Sequence, residues 1–239
     1  MKQIAYLTDA HIDESFPKSL GADARANWSK VLSDVKERQI DEIVFGGDMG
    51  EPVTNQWFLE SMADFRLSVT LGNHDEFEEV TKHFRHDAFN SGDELFYAFD
   101  DGGFRRIYLD SSSEKISYNQ FVWLKVQLKT QLPILLFIHH AIFPVDSAID
   151  RKHYLRGRER LQQLLIESGK QIFIFCGHYH LSDEQQIGSI SQFISSAVSY
   201  QVLKDEDPIQ VSASFFGYRI IRINDQSIET ETIRFEVSG

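Results

Sequence analysis

The chain of 239 residues has a single cysteine, Cys176, so no internal disulfide can form and a stapled extracellular scaffold is excluded. Its five prolines are scattered, no Pro/Gly/Ser-rich stretch reads as a linker, and no internal repeat is visible, so residues 1–239 are read as one domain. No run approaches the ~18 uncharged apolar residues of a membrane span. The longest candidate, Leu132 to Ile138, is strand-sized and contains Pro133. Basic side chains are also in deficit: 24 Lys and Arg stand against 36 Asp and Glu, a formal charge of −12. A surface of that sign repels the backbone of nucleic acid and the anionic face of a membrane, so neither is expected as a general partner. Met1-Lys2-Gln3 runs directly into Ile4-Ala5-Tyr6-Leu7-Thr8-Asp9, without the apolar segment and cleavage site of a secretory signal. A cytoplasmic location is the expectation.

What is present is an alternation. Short apolar, β-branched runs at Ile4 to Leu7, Ile43 to Phe45, Leu67 to Leu71, Arg106 to Leu109, Ile134 to Ile138 and Ile172 to Phe175 read as buried strands. Between them, Ala24, Trp28, Val31, Leu32 and Val35 recur at helical spacing, and Asn55 to Phe65, Tyr118 to Lys129 and Glu159 to Ser168 are further helices. After residue 180 only strands are expected: Ser189 to Ser195, Phe215 to Ile223 and Ser227 to Val237, with a turn at Asn224-Asp225. An α/β first part with a β-rich end implies two sheets packed together, with helices outside. Pro144 to Arg158 reads as a long irregular loop that concentrates positive charge in an acidic chain.

Metal-binding side chains recur at the carboxyl ends of the expected strands, where ligands of α/β proteins collect. The first strand ends in Asp9-Ala10-His11, the second in Gly46-Gly47-Asp48 and the third in Gly72-Asn73-His74-Asp75. Later ones end in His139-His140 and Gly177-His178-Tyr179-His180. In an extended segment residues i and i+2 point to one side, so Asp9 with His11, and His178 with His180, could each turn two donors toward one point.

In this order and spacing, over Asp9 to His180, the set resembles the calcineurin-like metallophosphoesterase superfamily. Leu109-Asp110-Ser111, Gln120-Phe121-Val122-Trp123-Leu124 and His139-His140 are similar to its class III cyclic-nucleotide phosphodiesterase branch. Two departures bear on substrate: Ala141 stands where a proline commonly follows the paired histidines, and Ser195-Ser196-Ala197 replaces a proline-containing segment. The resemblance implies a four-layer α/β/β/α sandwich with two mixed sheets. It also implies two metal ions, one on Asp9, His11, Asp48 and His180 and one on Asp48, Asn73, His139 and His178. Imidazole with carboxylate or amide oxygen, and no thiolate, suits Mn, Fe or Zn rather than Cu(I) or an iron–sulfur cluster.

The implied reaction is hydrolysis of cyclic nucleotides or other small phosphodiesters by a hydroxide bridging the ions. One acid–base side chain contributes about 10²- to 10⁴-fold, whereas phosphate-ester hydrolysis can need up to ~10²¹. His74 is placed to donate a proton to the leaving oxygen, with Asp75 as the partner that orients it. His140, in an extended segment, points away from His139 and is a core histidine or a substrate contact. Arg151, in the basic run ending at Arg160, belongs to a solvated loop or grips a further phosphate. His83 and His86 read as surface positions and Cys176 as packing. Asn27, Tyr154 and the Ser195 to Tyr200 segment would shape recognition. Phosphomonoester hydrolysis and a non-catalytic scaffold of the same fold are the alternatives.

Overall fold

The computed structural model describes residues 2–86, 92–225 and 227–237. The first half runs β1 (Lys2–Leu7), α1 (Ser15–Ser19), α2 (Ala24–Glu37), β2 (Glu42–Phe45), α3 (Asn55–Glu60), β3 (Arg66–Val69), α4 (Phe77–Val80), β4 (Tyr97–Asp101), β5 (Phe104–Tyr108) and α5 (Tyr118–Gln127). Then come β6 (Ile134–Phe137), α6 (Ala148–His153), α7 (Arg158–Glu167), β7 (Ile172–Cys176), β8 (Asp183–Ile187), β9 (Ile190–Ile194), β10 (Gln201–Val202), β11 (Val211–Ser212), β12 (Phe215–Asn224) and β13 (Ser227–Glu236). One sheet is ordered β13-β12-β1-β2-β3 and the other β4-β5-β6-β7-β9-β8. Both are mixed. β1, β2 and β3 run parallel, as do β5, β6, β7 and β9, while β12, β13, β4 and β8 supply antiparallel pairs.

The strand period of two sorts side chains between layers. Leu135 and Phe137 of β6, with Phe173 and Phe175 of β7, enter the core between the sheets, whereas Ile134, Leu136, Ile172 and Ile174 enter the core under α5 and α7. Across the sheet interface the Tyr6 ring meets Phe137 and Phe175, each at 5.9 Å between centroids. On the far side of the first sheet, Trp28 of α2 packs on Phe58 of α3 at 4.3 Å and edge-on to Phe45 at 5.9 Å. Leu124, Leu161 and Leu165 seal the second sheet. The order helix, sheet, sheet, helix is the expected four-layer sandwich. Cys176 is buried in the outer core, where desolvation pushes its thiol pKa up.

The expected helices and parallel strands are found, with ends moved by a few residues. The Pro144 to Arg158 segment differs from expectation: it contains α6. Ser147 caps it by accepting from the Asp150 N–H at 3.2 Å, and Asp150 in turn takes both guanidinium nitrogens of Arg158 at 2.6 and 3.0 Å. The helix is polar and short, so it carries no apolar period. β8 has no apolar signature either: Asp183–Ile187 is an edge strand whose side chains alternate between half-buried and exposed.

Phe137 is fully buried and touches Tyr6, Tyr108 and Phe175. Phe137→Ala is expected to destabilise the protein by about 3–5 kcal/mol, measured by urea unfolding followed by far-UV circular dichroism.

Candidate metal centre

The loops leaving β1, β2, β3, β6 and β7 meet at the carboxyl edge of the two sheets, and each brings donors. Strand alternation does not aim them. Asp9, His11, Asp48, His178 and His180 have φ of 56°, 45°, 61°, 67° and 50°. The left-handed region costs a residue with a side chain roughly 1–2 kcal/mol. The backbone here is therefore coiled tightly, and Asp9 and His11 converge by turning rather than by extension. Close approach of neighbouring loops fixes the glycines too. A Cβ on Gly72 would lie 2.1 Å from Asp48 Oδ1, and one on Gly177 would lie 2.4 Å from Asp9 Oδ2.

Hydrogen bonds between loops hold this arrangement. Asp9 N–H donates to Gly47 O at 2.9 Å and His11 N–H to Asp48 O at 3.1 Å. His178 N–H donates to the Asp9 carboxylate at 3.1 Å, and His74 N–H to Asp48 Oδ1 at 2.9 Å. The carboxylate of Asp75 accepts from Asp48 N–H at 2.7 Å, Met49 N–H at 2.9 Å and Gly72 N–H at 2.9 Å. This corrects the expectation that Asp75 orients His74. Both of its oxygens are engaged by backbone, and it pins the loop after β2 to the loop after β3.

Among the described residues three groups of side chains lie close enough to share a cation: Asp9, His11 and His180; Asp48, His139 and His178; and, at the open side, His11, Glu14 and His74. His139 meets Gly46 O through Nδ1 at 2.8 Å, His180 meets Tyr200 O through Nδ1 at 2.9 Å, and His178 meets His153 O through Nε2 at 2.9 Å. Each carbonyl can only accept, so the ring nitrogen facing it carries a proton and the other nitrogen is the one available to a cation. His139 Nε2 is accordingly buried without a hydrogen-bond partner, 3.3 Å from Asp48 Oδ2 and 3.9 Å from Asp9 Oδ1. Asn73 Oδ1 is also buried and unpartnered, and Asn73 lines one groove with His178 and His140. His11 Nε2 and His180 Nε2 stand 3.1 Å apart. With His180 Nδ1 committed to Tyr200, that contact needs a proton on His11 or a cation between the rings. Orphaned lone pairs aimed at carboxylates in a thiolate-free cluster fit a pair of divalent cations.

Opposed charges set the electrostatics of the donors. Asp9 is fully buried, which disfavours its carboxylate, yet His180 and His139 hold it down at about 2. Asp48 is likewise driven well below the usual range by His139 and His11 against its burial. His139 resists burial because the Asp48 and Asp9 carboxylates raise it to about 9, whereas burial and the neighbouring charge of His139 push His178 down to about 3. Burial and the Asp48 carboxylate raise Asp75 to about 6 against its three N–H donors.

The partner of His74 is a residue that the sequence did not single out. Glu14 Oε1 lies 3.2 Å from His74 Nδ1 and 3.0 Å from His11 Nδ1. This hydrogen bond, against partial burial, raises His74 to about 9, and the two imidazoles bring Glu14 down to about 2 in spite of its own desolvation. Glu14 stands in no strand-end motif, and only the turn at Asp13, φ 66°, carries it back over the site.

His140 is buried, with Nδ1 2.9 Å from Ser111 Oγ and Nε2 unpartnered, and its ring lies 4.0 Å from that of His178. Burial and the adjacent imidazoles push it well below the usual histidine range. Arg151 is not at the donor groove: it pairs with Asp207 at 2.8 Å and faces Asp146 at 3.6 Å, because α6 turns it outward. Lys152, Tyr154 and Arg156 of the same segment line the groove instead. Asn27 is buried on α2 and donates to Val198 O and Ser199 O at 3.1 and 3.2 Å, fixing the loop from which Tyr200 stacks on His180 at 4.2 Å. Ser195 Oγ accepts from buried Arg219 at 3.3 Å. His83 is exposed, and His86 stacks on Tyr97 at 4.6 Å.

In Glu14→Gln, the His74 imidazole is expected to titrate closer to its ordinary value of about 6.5 than to about 9, since the carboxylate that favours its charged form is gone. Two-dimensional ¹H–¹⁵N spectra of the metal-free protein across pH 5–10 measure it, and an unchanged His74 curve would remove Glu14 as its partner.

A family profile described as calcineurin-like phosphoesterase matches residues 2–182. A Fibrobacter succinogenes protein named "Probable cyclic nucleotide phosphodiesterase" is 23% identical over 237 residues, covering 96% of this chain and 92% of that one. An Arcobacter nitrofigilis protein named "Probable glycerophosphodiester phosphodiesterase GpdQ" is 32% identical over 181 residues, covering 69% of this chain and 66% of that one. Among solved structures, a dimetal phosphatase from Danio rerio superimposes with a TM-score of 0.67 at 13% identity and 99% coverage of both chains, a likeness of fold. The loops that hold these donors all fall within the matched residues, and the chain belongs to the calcineurin-like phosphoesterase family.

Proposed function

We propose that this phosphoesterase is a metal-dependent phosphodiesterase acting on cyclic nucleotides or other small phosphodiesters. Asp9, His11, Asp48 and His180 would hold one cation, and Asp48, Asn73, His139 and His178 the other. The observation that carries the reading is the position of Asp48 Oδ2, 3.5 Å from His11 Nε2 and 3.3 Å from His139 Nε2, which joins the two donor groups through one carboxylate. Bound cations at such a site supply Lewis acidity, neutralise phosphate charge and bring the pKa of water from about 15.7 toward 7. Mixed imidazole, carboxylate and amide donors favour Mn, Fe or Zn.

The chain's own groups supply the rest. His74 is the open ring beside the cluster, 44% exposed at its side chain and edge-on to His11 at 4.7 Å. With Nδ1 on Glu14, its Nε2–H is free to donate a proton to the leaving oxygen. Asp75 acts at one remove, by keeping the backbone of Asp48 and Gly72 in place. His140 offers Nε2, with no partner of its own, to a substrate in the groove beside His178. The names carried by the two relatives, a cyclic nucleotide phosphodiesterase and a glycerophosphodiester phosphodiesterase, favour a diester over a monoester.

Loaded with Mn²⁺, the protein is expected to turn over bis(p-nitrophenyl) phosphate faster than p-nitrophenyl phosphate. Asp48→Asn should lose metal together with activity. His74→Ala should keep metal, by atomic emission, while kcat falls about 10²- to 10⁴-fold. Activity of Asp48→Asn equal to that of the unaltered protein would end the metal-hydrolase reading, and faster monoester turnover would end the diester one.

A further inference from the structure

Beside the donor groups lies a groove of about 240 Å³ lined by Asn73, His140 and His178 and, from the basic segment, by Lys152, Tyr154 and Arg156. Arg156 also lines a second, larger cavity of about 490 Å³. Phe121, Leu155 and Ile116 give that cavity apolar surface, and Lys115, Arg156 and Arg160 give it three cations. None of the described residues that line it is a carboxylate. Four other cavities each include at least one, Glu14, Glu114, Asp207 and Asp41 among them.

Two of the three cations of this cavity lack an acid partner among the described residues. Several other basic side chains are matched by acids: Arg151 meets Asp207, Arg158 meets Asp150 and Arg25 meets Asp13. Among the described residues neither Lys115 nor Arg160 has a carboxylate within ion-pair distance, and Arg160 instead lies over the Phe121 ring at 3.9 Å. Arg156 pairs with Glu114 at 3.5 Å and donates to Ser113 O at 2.9 Å. The wall that carries them is braced. Arg156 N–H donates to Glu114 O at 2.9 Å, Lys115 pairs with Arg156 in an isolated parallel bridge, and Glu114 is held at a φ of 59°. In a chain of net charge −12, Lys115 and Arg160 beside an apolar cavity, next to a phosphate-processing site, create a local field for an anion. Arginine in particular matches phosphate through paired donors.

We propose that this outer cavity binds a second phosphate carried on one arm of the substrate, so that the preferred substrates are diesters with a further phosphate group. The inference rests on the phosphodiesterase reading and adds the substrate class. In this arrangement the scissile diester lies against the donors, one ester arm passes Arg156, and its terminal phosphate meets Lys115, Arg156 and Arg160.

Two chromogenic substrates isolate the effect: the p-nitrophenyl ester of thymidine 5′-phosphate, and the same compound with a 3′-phosphate. The Mn²⁺-loaded protein is expected to favour the 3′-phosphorylated compound in kcat/KM by about tenfold or more, and Lys115→Ala or Arg160→Gln should bring that ratio close to one. Equal kcat/KM for the two compounds in the unaltered protein would overturn the second-phosphate site and leave the diesterase reading standing. Calorimetric titration with thymidine 3′,5′-bisphosphate tests the cavity without turnover, so it decides the matter even if neither ester is cleaved. Binding weakened about tenfold in Lys115→Ala supports the site, and binding unaffected by both substitutions overturns it. Inorganic phosphate that binds at Lys115 and Arg160 without competing with the 3′-phosphorylated substrate would indicate an independent effector and would also overturn it.

Discussion

The donor cluster depends on a buried carboxylate whose side chain is engaged by backbone N–H groups. Asp75 receives the N–H groups of Asp48, Met49 and Gly72, and these tie together two loops that leave different strands of the first sheet. Asp48 sits in a left-handed conformation that its side chain does not favour, and Gly72 is packed so closely against it that a methyl group would not fit. Strain of about 1–3 kcal/mol per residue persists only where surrounding contacts over-determine the backbone. Charged acceptors on backbone N–H groups are among the stronger hydrogen bonds available for that purpose.

The same economy recurs around the cluster. Backbone carbonyls of Gly46, Tyr200 and His153 each take one N–H of a histidine and leave the other nitrogen without a backbone partner. Buried carboxylates and imidazoles then stabilise one another, with Asp9 near 2 and His139 near 9. A cation entering the site would compete with protons for those nitrogens, so the donors are held in position while their charge can be exchanged. Glu14 extends this pattern to His74. Its carboxylate serves two imidazoles, and it joins a ligand-type histidine to the ring that faces the open side.

Charge is distributed unevenly for a reason the net value conceals. The chain is acidic overall, yet the segment from Lys152 to Arg160, packed beside Lys115, turns cations toward the groove and toward the cavity behind it. Local field at a low-dielectric wall, rather than net charge, governs what a small anion experiences. Arg151 and Arg158, from the same run, are spent on Asp207 and Asp150. Composition cannot separate the two kinds of arginine; their partners can.

The sequence alone determined the alternation of buried strands and amphipathic helices, because apolar period is a local property, and the recurrence of Asp, Asn and His at strand ends. It could not determine how those ends are aimed. Asp9 and His11 meet through left-handed turns rather than through extended alternation, and those turns are stabilised by carbonyls of residues about 40 positions away in the chain, Gly47 and Asp48. Adjacency in the chain points to Asp75 as the partner of His74, yet packing gives that place to Glu14, 60 residues distant. The helix at Ala148–His153 was hidden because its stabilisation is polar and depends on Arg158 and Tyr179 reaching Asp150. Residue type is written in the chain, but neighbourhood, and with it tautomer, charge and orientation, arises only when distant segments close on one another.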